Sequence, residues 1–272
     1  MSKPRPILRT FAERLAPWLV AALALGAWEF LVGYYHVKPF VLPAPSGIAQ
    51  ALIDNRDVLL NSGWITFEIT VLAFAAALIA GVALAMLFTQ SRMIEAALLP
   101  YAITLQVTPV VAIAPLIIIW VGIDRPQLAV LILATIVAFF PILANMTLGL
   151  RSADANLKDL FRLYGATRWQ TLTRLQIPTA LPYLLAGMKI SGGLALIGTI
   201  VAEFVASTGA SSGLAWRIIE AGNRLETAKL FAALLLLSLL GIAIYVSLSA
   251  LERLVLRRWH ESASIDPRGA QP

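Results

Sequence analysis

The chain has 272 residues, of which 59% are apolar and 13% charged, with a mean hydropathy of +0.81; a soluble domain carries about twice that charged fraction, so this is an integral membrane protein. With no cysteine, disulfides, thiolate metal sites and a cysteine nucleophile are excluded, and with histidine only at His36 and His260, both outside the apolar segments, a histidine metal site or triad is disfavoured. The net charge of +6 would suit nucleic acid or an anionic lipid surface, but in a membrane protein basic residues first report topology.

Lys3, Arg5, Arg9 and Arg14 precede the first apolar run, Leu15–Tyr35. That run is too long for a typical signal-peptide core and no clear small-x-small cleavage site follows it, so it reads as a retained spanning helix. Pro39, Pro43 and Pro45 keep the following chain extended. Ser46 is then placed to cap a short amphipathic helix through Leu60, with Ile48, Ala51 and Leu52 on one face. Five more runs reach the roughly 20 apolar residues that a span needs: Trp64–Phe88, Ala97–Ile123, Gln127–Leu150, Tyr183–Ser207 and Ala228–Leu254. The third and fourth spans are joined by the tight turn Gly122-Ile123-Asp124-Arg125-Pro126 and form a helical hairpin. Pro109 and Pro115 in the third span and Pro141 in the fourth are expected to bend their helices. The loop from Thr208 to Thr227 is rich in Gly and Ser at first and then reads helical around Leu214–Ala221.

With both termini inside, only Lys38, Arg56, Arg125, Arg217, Arg224 and Lys229 of the 21 basic residues fall outside. The positive-inside rule therefore places both termini and the long polar loop in the cytoplasm. The basic run Arg253 to Arg258 reads as an anchor to lipid headgroups. The expected organisation is a cytoplasmic segment 1–14, a six-helix membrane domain 15–254 containing a cytoplasmic loop 151–182, and a cytoplasmic tail 255–272.

The polar island from Arg151 to Lys189 is longer than a linker between two spans requires. Asn156 to Tyr164 is helix-forming, with Asp154 or Asn156 available as a cap. Gly165 permits a turn that a β-carbon would hinder, and Thr167 can cap a second helix, Arg168 to Leu175, predicted to stop before Pro178. Pro178 and Pro182 then redirect the chain into the fifth span. The predicted product is a helix–turn–helix elbow whose apolar Leu160, Phe161, Leu163 and Tyr164 suit a docking surface.

The spacing of this elbow resembles the EAA loop of ABC-importer permeases, which reads Glu-Ala-Ala, three residues, Gly, nine residues, Ile, one residue, Leu-Pro. Asp159, Leu160 and Phe161 hold the first three positions, followed at every expected interval by Gly165, Leu175, Ile177 and Pro178. Leu42-Pro43-Ala44-Pro45-Ser46, Pro109 through Gly122, Leu181-Pro182-Tyr183, Ala186-Gly187-Met188-Lys189, Val201-Ala202-Glu203-Phe204 and Ser212-Gly213-Leu214 resemble the branch serving nitrate, sulfonates and taurine. The resemblance spans nearly the whole chain. It implies an all-α polytopic protein of six transmembrane helices with the type I, MetI-like importer fold, in the bacterial inner (plasma) membrane. It also implies a homodimer, a dimer of ABC ATPase subunits and a periplasmic or lipid-anchored substrate-binding protein, with lipid around it and no nucleic acid. The coupling residues it implies are Asp159, Leu160, Phe161, Gly165, Ala166, Arg168, Trp169, Pro178 and Pro182. Leu160 and Phe161 stand where the motif has two alanines, which implies a reshaped socket on the ATPase or a slightly shifted helix.

A phosphate-cradling P-loop needs a Gly-Lys pair, and none occurs in the chain. No cofactor is therefore expected here, ATP and Mg being used by the partner ATPase. Glu203 in the fifth span and Glu68 in the second are the candidate pathway or gate residues, since ionisable groups at that depth face the protein interior; an interhelical hydrogen bond is the structural alternative. Gly187, Gly192, Gly193 and Gly198 give the fifth span small surfaces for helix packing or a dimer interface. No metal site is expected. A secondary transporter would show duplicated halves with interrupted helices, and an intramembrane enzyme a constellation of catalytic groups; the sequence has neither. The expected cargo is a nitrate-, sulfonate- or taurine-like anion, with a vitamin precursor (a thiamine pyrimidine or riboflavin) as the alternative.

Overall fold

The computed structural model describes residues 7–206 and 213–257, and every regular element among them is helical. The tail beyond 257, the first six residues and positions 207–212 of the Gly/Ser-rich loop lie outside the described residues. Five helices are long and apolar enough to cross a membrane: Leu15–Tyr34, Arg56–Gln90, Pro126–Arg151, Arg168–Ala206 and Thr227–Leu256. A bent pair supplies a sixth span if its two arms are counted together.

The chain divides into two compact units, the first comprising residues 1–60 and 217–235. It holds α1 (Ile7–Tyr34), α2 (Pro45–Asp54), the start of α3 (Arg56–Gln90), most of α10 (Leu214–Asn223) and the start of α11 (Thr227–Leu256). α1 closes with His36 at φ +48° and the Val37 N–H donating to the Val32 carbonyl at 3.1 Å, a Schellman ending. Ser46 is not the cap predicted for α2. Ala44 occupies that position, and Ser46, in the first turn, donates its N–H (3.0 Å) and hydroxyl (2.7 Å) to the Glu29 carboxylate of α1. An anion from another helix thus satisfies the free amide end that a local hydroxyl was expected to serve. The helix predicted through Leu60 is also two helices, parted at Asn55. Trp28 meets Phe231 edge-on at 5.9 Å, and the Thr227 hydroxyl donates to the Phe40 carbonyl at 2.7 Å.

The second unit, residues 61–216 and 236–272, contains the rest of α3 and α11, the first turn of α10, and everything between α3 and α10. Its core is the pairing of α6 (Pro126–Arg151) with α9 (Ile177–Ala206). Small residues let the two backbones approach. A β-carbon on Gly149 would stand 2.8 Å from Ala180 Cα, one on Gly187 2.9 Å from Asn145 Cβ, and one on Gly198 3.0 Å from Ala134 Cα. The buried Ser191 hydroxyl donates to the Ala138 carbonyl at 2.7 Å, a polar pin across the same seam. Ile142, Leu143, Met146 and Leu150 fill the remaining space with α3, α4 (Arg92–Val107) and α9. Gly192 instead faces Leu248 of α11, while Gly193 is open.

Two expectations change here. The third span, predicted unbroken over Ala97–Ile123, is α4 followed by α5 (Val110–Val121), bent by 104°. Pro109 forces Thr108 into an extended conformation (ψ 124°) and caps α5 itself, so the proline breaks the span rather than bending it. The helix after the elbow does not stop before Pro178. α8 (Arg168–Thr171) widens into a π turn (Leu172–Gln176) that passes directly into α9, giving one helical run Arg168–Ala206. Proline lacks an N–H and its ring crowds the carbonyl four residues back; a π turn, with bonds one residue longer, relieves that crowding without ending the helix.

Candidate functional site

The elbow is built by caps. α6 ends at Arg151, which pairs with Glu95 of α4. The Asp154 carboxylate accepts the Asn156 N–H at 2.7 Å and starts α7 (Ala155–Leu163). α7 stops in a Schellman motif: Gly165 has φ +69°, its N–H donates to the Arg162 carbonyl, and the Ala166 N–H donates to the Phe161 carbonyl, both at 2.9 Å. A β-carbon on Gly165 would meet nothing within 4 Å, so backbone conformation alone requires glycine here. Thr167 and Gln170 then form a reciprocal capping box (3.2 and 2.8 Å) that opens α8.

The residues expected to couple therefore lie on one continuous piece of chain. Asp159, Leu160 and Phe161 sit on α7, with Asp159 paired to Arg162 at 3.4 Å. Gly165 and Ala166 make the turn, Arg168 and Trp169 open α8, and Pro178 and Pro182 lie inside α9. Leu163, Tyr164 and Trp169 are 85%, 83% and 67% exposed, while Phe161 is half-buried. The π turn buries Leu172 and Leu175, Leu172 in the core with Leu150 and Ala180. An apolar, exposed tip thus sits on a stem that Leu172 anchors in the core.

The two candidate pathway carboxylates are not brought together. Glu68 is exposed on α3. Glu203 is fully buried near the end of α9, where it accepts the Thr66 hydroxyl at 2.9 Å and the Ala215 N–H at 3.0 Å. Thr66 in turn accepts the Leu214 N–H at 2.9 Å, so Glu203 and Thr66 together serve the first two amides of α10. Gly213 is required beside them, because a β-carbon there would overlap the Glu203 carboxylate. The geometry is that of an interhelical hydrogen bond that fixes the start of α10.

Sequence reasoning missed three groups. Thr66, an ordinary hydroxyl in a span, carries no local sign of a partner 137 residues away. Glu252 pairs with Lys189 at 2.8 Å, with the Lys189 ammonium 5.8 Å from the Tyr245 ring; opposite charges inside facing spans were the available signal. The π turn could have been suspected from Pro178 one residue into an otherwise unbroken apolar helix.

The profile of the family described as binding-protein-dependent transport system inner membrane component matches residues 62–260. The chain is 31% identical to the formylaminopyrimidine transport permease protein of Halalkalibacterium halodurans, over 90% of this chain and 96% of that one. It is 30% identical to a putative aliphatic sulfonates transport permease protein of Bacillus subtilis, over 90% and 87% respectively. Among solved structures it is similar to the MetNI methionine ABC transporter in inward-facing form, with a TM-score of 0.60 at 17% identity, covering 72% of this chain and 95% of that one.

Proposed function

This chain belongs to the inner-membrane components of binding-protein-dependent transport systems, the permease subunits of ABC importers, and we propose that two copies of it form the translocation pathway driven by a pair of separate ATPase subunits docked on the elbow. The observation that carries this reading is the continuity of the elbow with α9: Arg168–Ala206 is one helical run with no loop to absorb motion. The exposed Leu160, Leu163, Tyr164 and Trp169 supply the contact, with Asp159, Phe161, Gly165, Ala166 and Arg168 shaping it. Closure of the ATPase pair pulls the tip, and Pro178 and Pro182, inside the helix, pass that pull to the part of α9 that packs on α6. The pathway then switches between inward- and outward-facing forms by rigid-body tilting. In this reading ATP and Mg act on the partner, both termini and the elbow are cytoplasmic, and a periplasmic or lipid-anchored binding protein delivers the cargo. The bulky Leu160-Phe161 pair calls for a wider ATPase socket than two alanines would.

Phe161→Asp or Gly165→Pro should abolish binding-protein-stimulated ATP hydrolysis in reconstituted vesicles while the permease still inserts and purifies as a dimer. Unchanged stimulation would sink the coupling role.

The proposed cargo is a small sulfonate- or taurine-like anion, in line with the aliphatic sulfonates relative. The formylaminopyrimidine relative, 31% identical against 30%, supports a vitamin precursor as the second reading. Ligand affinity of the cognate binding protein separates them: submicromolar binding of an alkanesulfonate supports the first, and of a formylaminopyrimidine the second.

A further inference from the structure

A cleft of about 640 Å³ opens between the end of α3, the start of α4 and the elbow. Thr89 and Gln90 contribute from α3, Arg92 from α4, Lys158 and Arg162 from α7, Arg168 and Thr171 from α8, and Gln176 from the π turn. Four cations converge there and no carboxylate lines it. Asp159 pairs with Arg162 and Lys158 donates to the Arg151 carbonyl at 3.3 Å, but neither contact neutralises the cleft as a whole.

We propose that this cleft binds the phosphate of an anionic phospholipid headgroup. Position favours lipid. The cleft is walled by the ends of two apolar helices, where a span meets the headgroup layer, and basic pockets at that level are recognised anion sites. Chemistry favours phosphate, which takes several charge-assisted hydrogen bonds at once from guanidinium and ammonium donors. The margin favours an acyl-bearing ligand over a free anion: Leu87 and Met93, flanking the lining segment, are 48% and 83% exposed and offer apolar surface for lipid tails. Because one wall is the elbow and the other the α3–α4 corner, a bound headgroup would brace the lever against the membrane-embedded helices.

The test uses the full-length chain in its complex, purified into nanodiscs of phosphatidylcholine containing a minor fraction of phosphatidylglycerol, with retained lipid counted by native mass spectrometry. The wild type should retain phosphatidylglycerol selectively. R92Q/K158Q should weaken that retention by about 30-fold, from roughly 1 kcal/mol per cation at an anionic surface. The charge-preserving R92K/K158R should restore it, which separates loss of the site from loss of the fold. Equal retention of phosphatidylglycerol by R92Q/K158Q overturns the proposal, as does absence of selectivity in the wild type. Displacement of the lipid by millimolar inorganic phosphate would assign the cleft to a soluble anion. Loss of the ATPase subunit from R92Q/K158Q with lipid retention unchanged would make the cleft a protein-docking face.

Discussion

Gly149 and Gly165 stand sixteen positions apart in the chain and are glycine for opposite reasons. Gly149 is buried in α6, its missing side chain replaced by the backbone of Ala180 at 2.8 Å from where a β-carbon would sit. Gly165 is exposed at the elbow with open space around it, and only its φ of +69° excludes other residues. The α6–α9 seam is held by contact and by the absence of room. The elbow is held by backbone geometry and caps, with its apolar side chains left outside. The coupling role proposed for the elbow would use this division, a stem held by packing and a tip that offers surface to a partner.

The largest effect that would break the comparison is at the seam. Gly149→Val places two methyl groups against the Ala180 backbone and Tyr183 Cβ, neither of which can swing aside as a flexible side chain would. The expected cost is about 3 kcal/mol, read as loss of the monodisperse species in detergent and a lower melting temperature. A variant that melts like wild type would show that α6 and α9 are free to part.

Next is Glu203→Gln, which asks whether buried polar contacts behave like the seam. The carboxylate offers acceptors to the Thr66 hydroxyl and the Ala215 N–H. An amide offers only one oxygen: kept on the Ala215 N–H, it turns its NH2 to the Thr66 hydroxyl, which must then give up its own donation to position 203, at about 1 kcal/mol. Hydrogen exchange should accelerate in the first turn of α10 and leave the elbow unchanged. Thr66→Val should do the same, because it removes the acceptor for the Leu214 N–H.

What could be read from the sequence follows the reach of each interaction. The spans show as apolar runs because lipid imposes that composition along the whole helix. The turn at Gly165 and the cap at Thr167 show because each is settled within four residues. Ser46 misled because its hydroxyl has a local partner in propensity and a distant one, Glu29, in fact. The break at Thr108 and the π turn before Pro178 are two outcomes of the same residue type. Proline announces that a helical bond will be lost, and the outcome here is a break with a 104° turn in one place and a widened turn in the other. Of the candidate site, the turn and caps of the elbow were legible because they are contiguous, while the π turn that carries it into α9 was not. Glu203 was legible only as a buried acid, since its partners Thr66 and Ala215 come from another helix and from beyond the intervening loop.

At the elbow, Gly165→Ala is the counterpart of Gly149→Val and should cost only about 1 kcal/mol, the penalty for a β-carbon in the left-handed region. Gly165→Asn should cost less, because Asn tolerates that region. The melting temperature should barely move in either, whereas exchange at the Ala166 amide, bonded to the Phe161 carbonyl, should quicken in the alanine variant. An alanine variant as destabilised as Gly149→Val would mean that the elbow, too, is held by packing.

The smallest effect lies in α10, where polar contacts are closer to solvent than those of Glu203. The Arg217 guanidinium, 2.7 Å from Glu220, holds that carboxyl below its ordinary value of 4.5, with further help from Arg224 and Lys229. A depressed folded-state pKa contributes stability that is present above the unfolded value and is lost as pH falls through the folded one. The difference in melting temperature between wild type and Glu220→Gln should therefore be constant near neutral pH, correspond to about 0.5 kcal/mol, and shrink as pH drops below about 4.5. High salt should shrink it too, since a partly exposed pair is screened. Glu203→Gln, whose effect rests on buried donors rather than on a solvated ion pair, should keep its penalty in salt; equal salt sensitivity in the two variants would erase the distinction between the polar contacts of the interior and those of the surface.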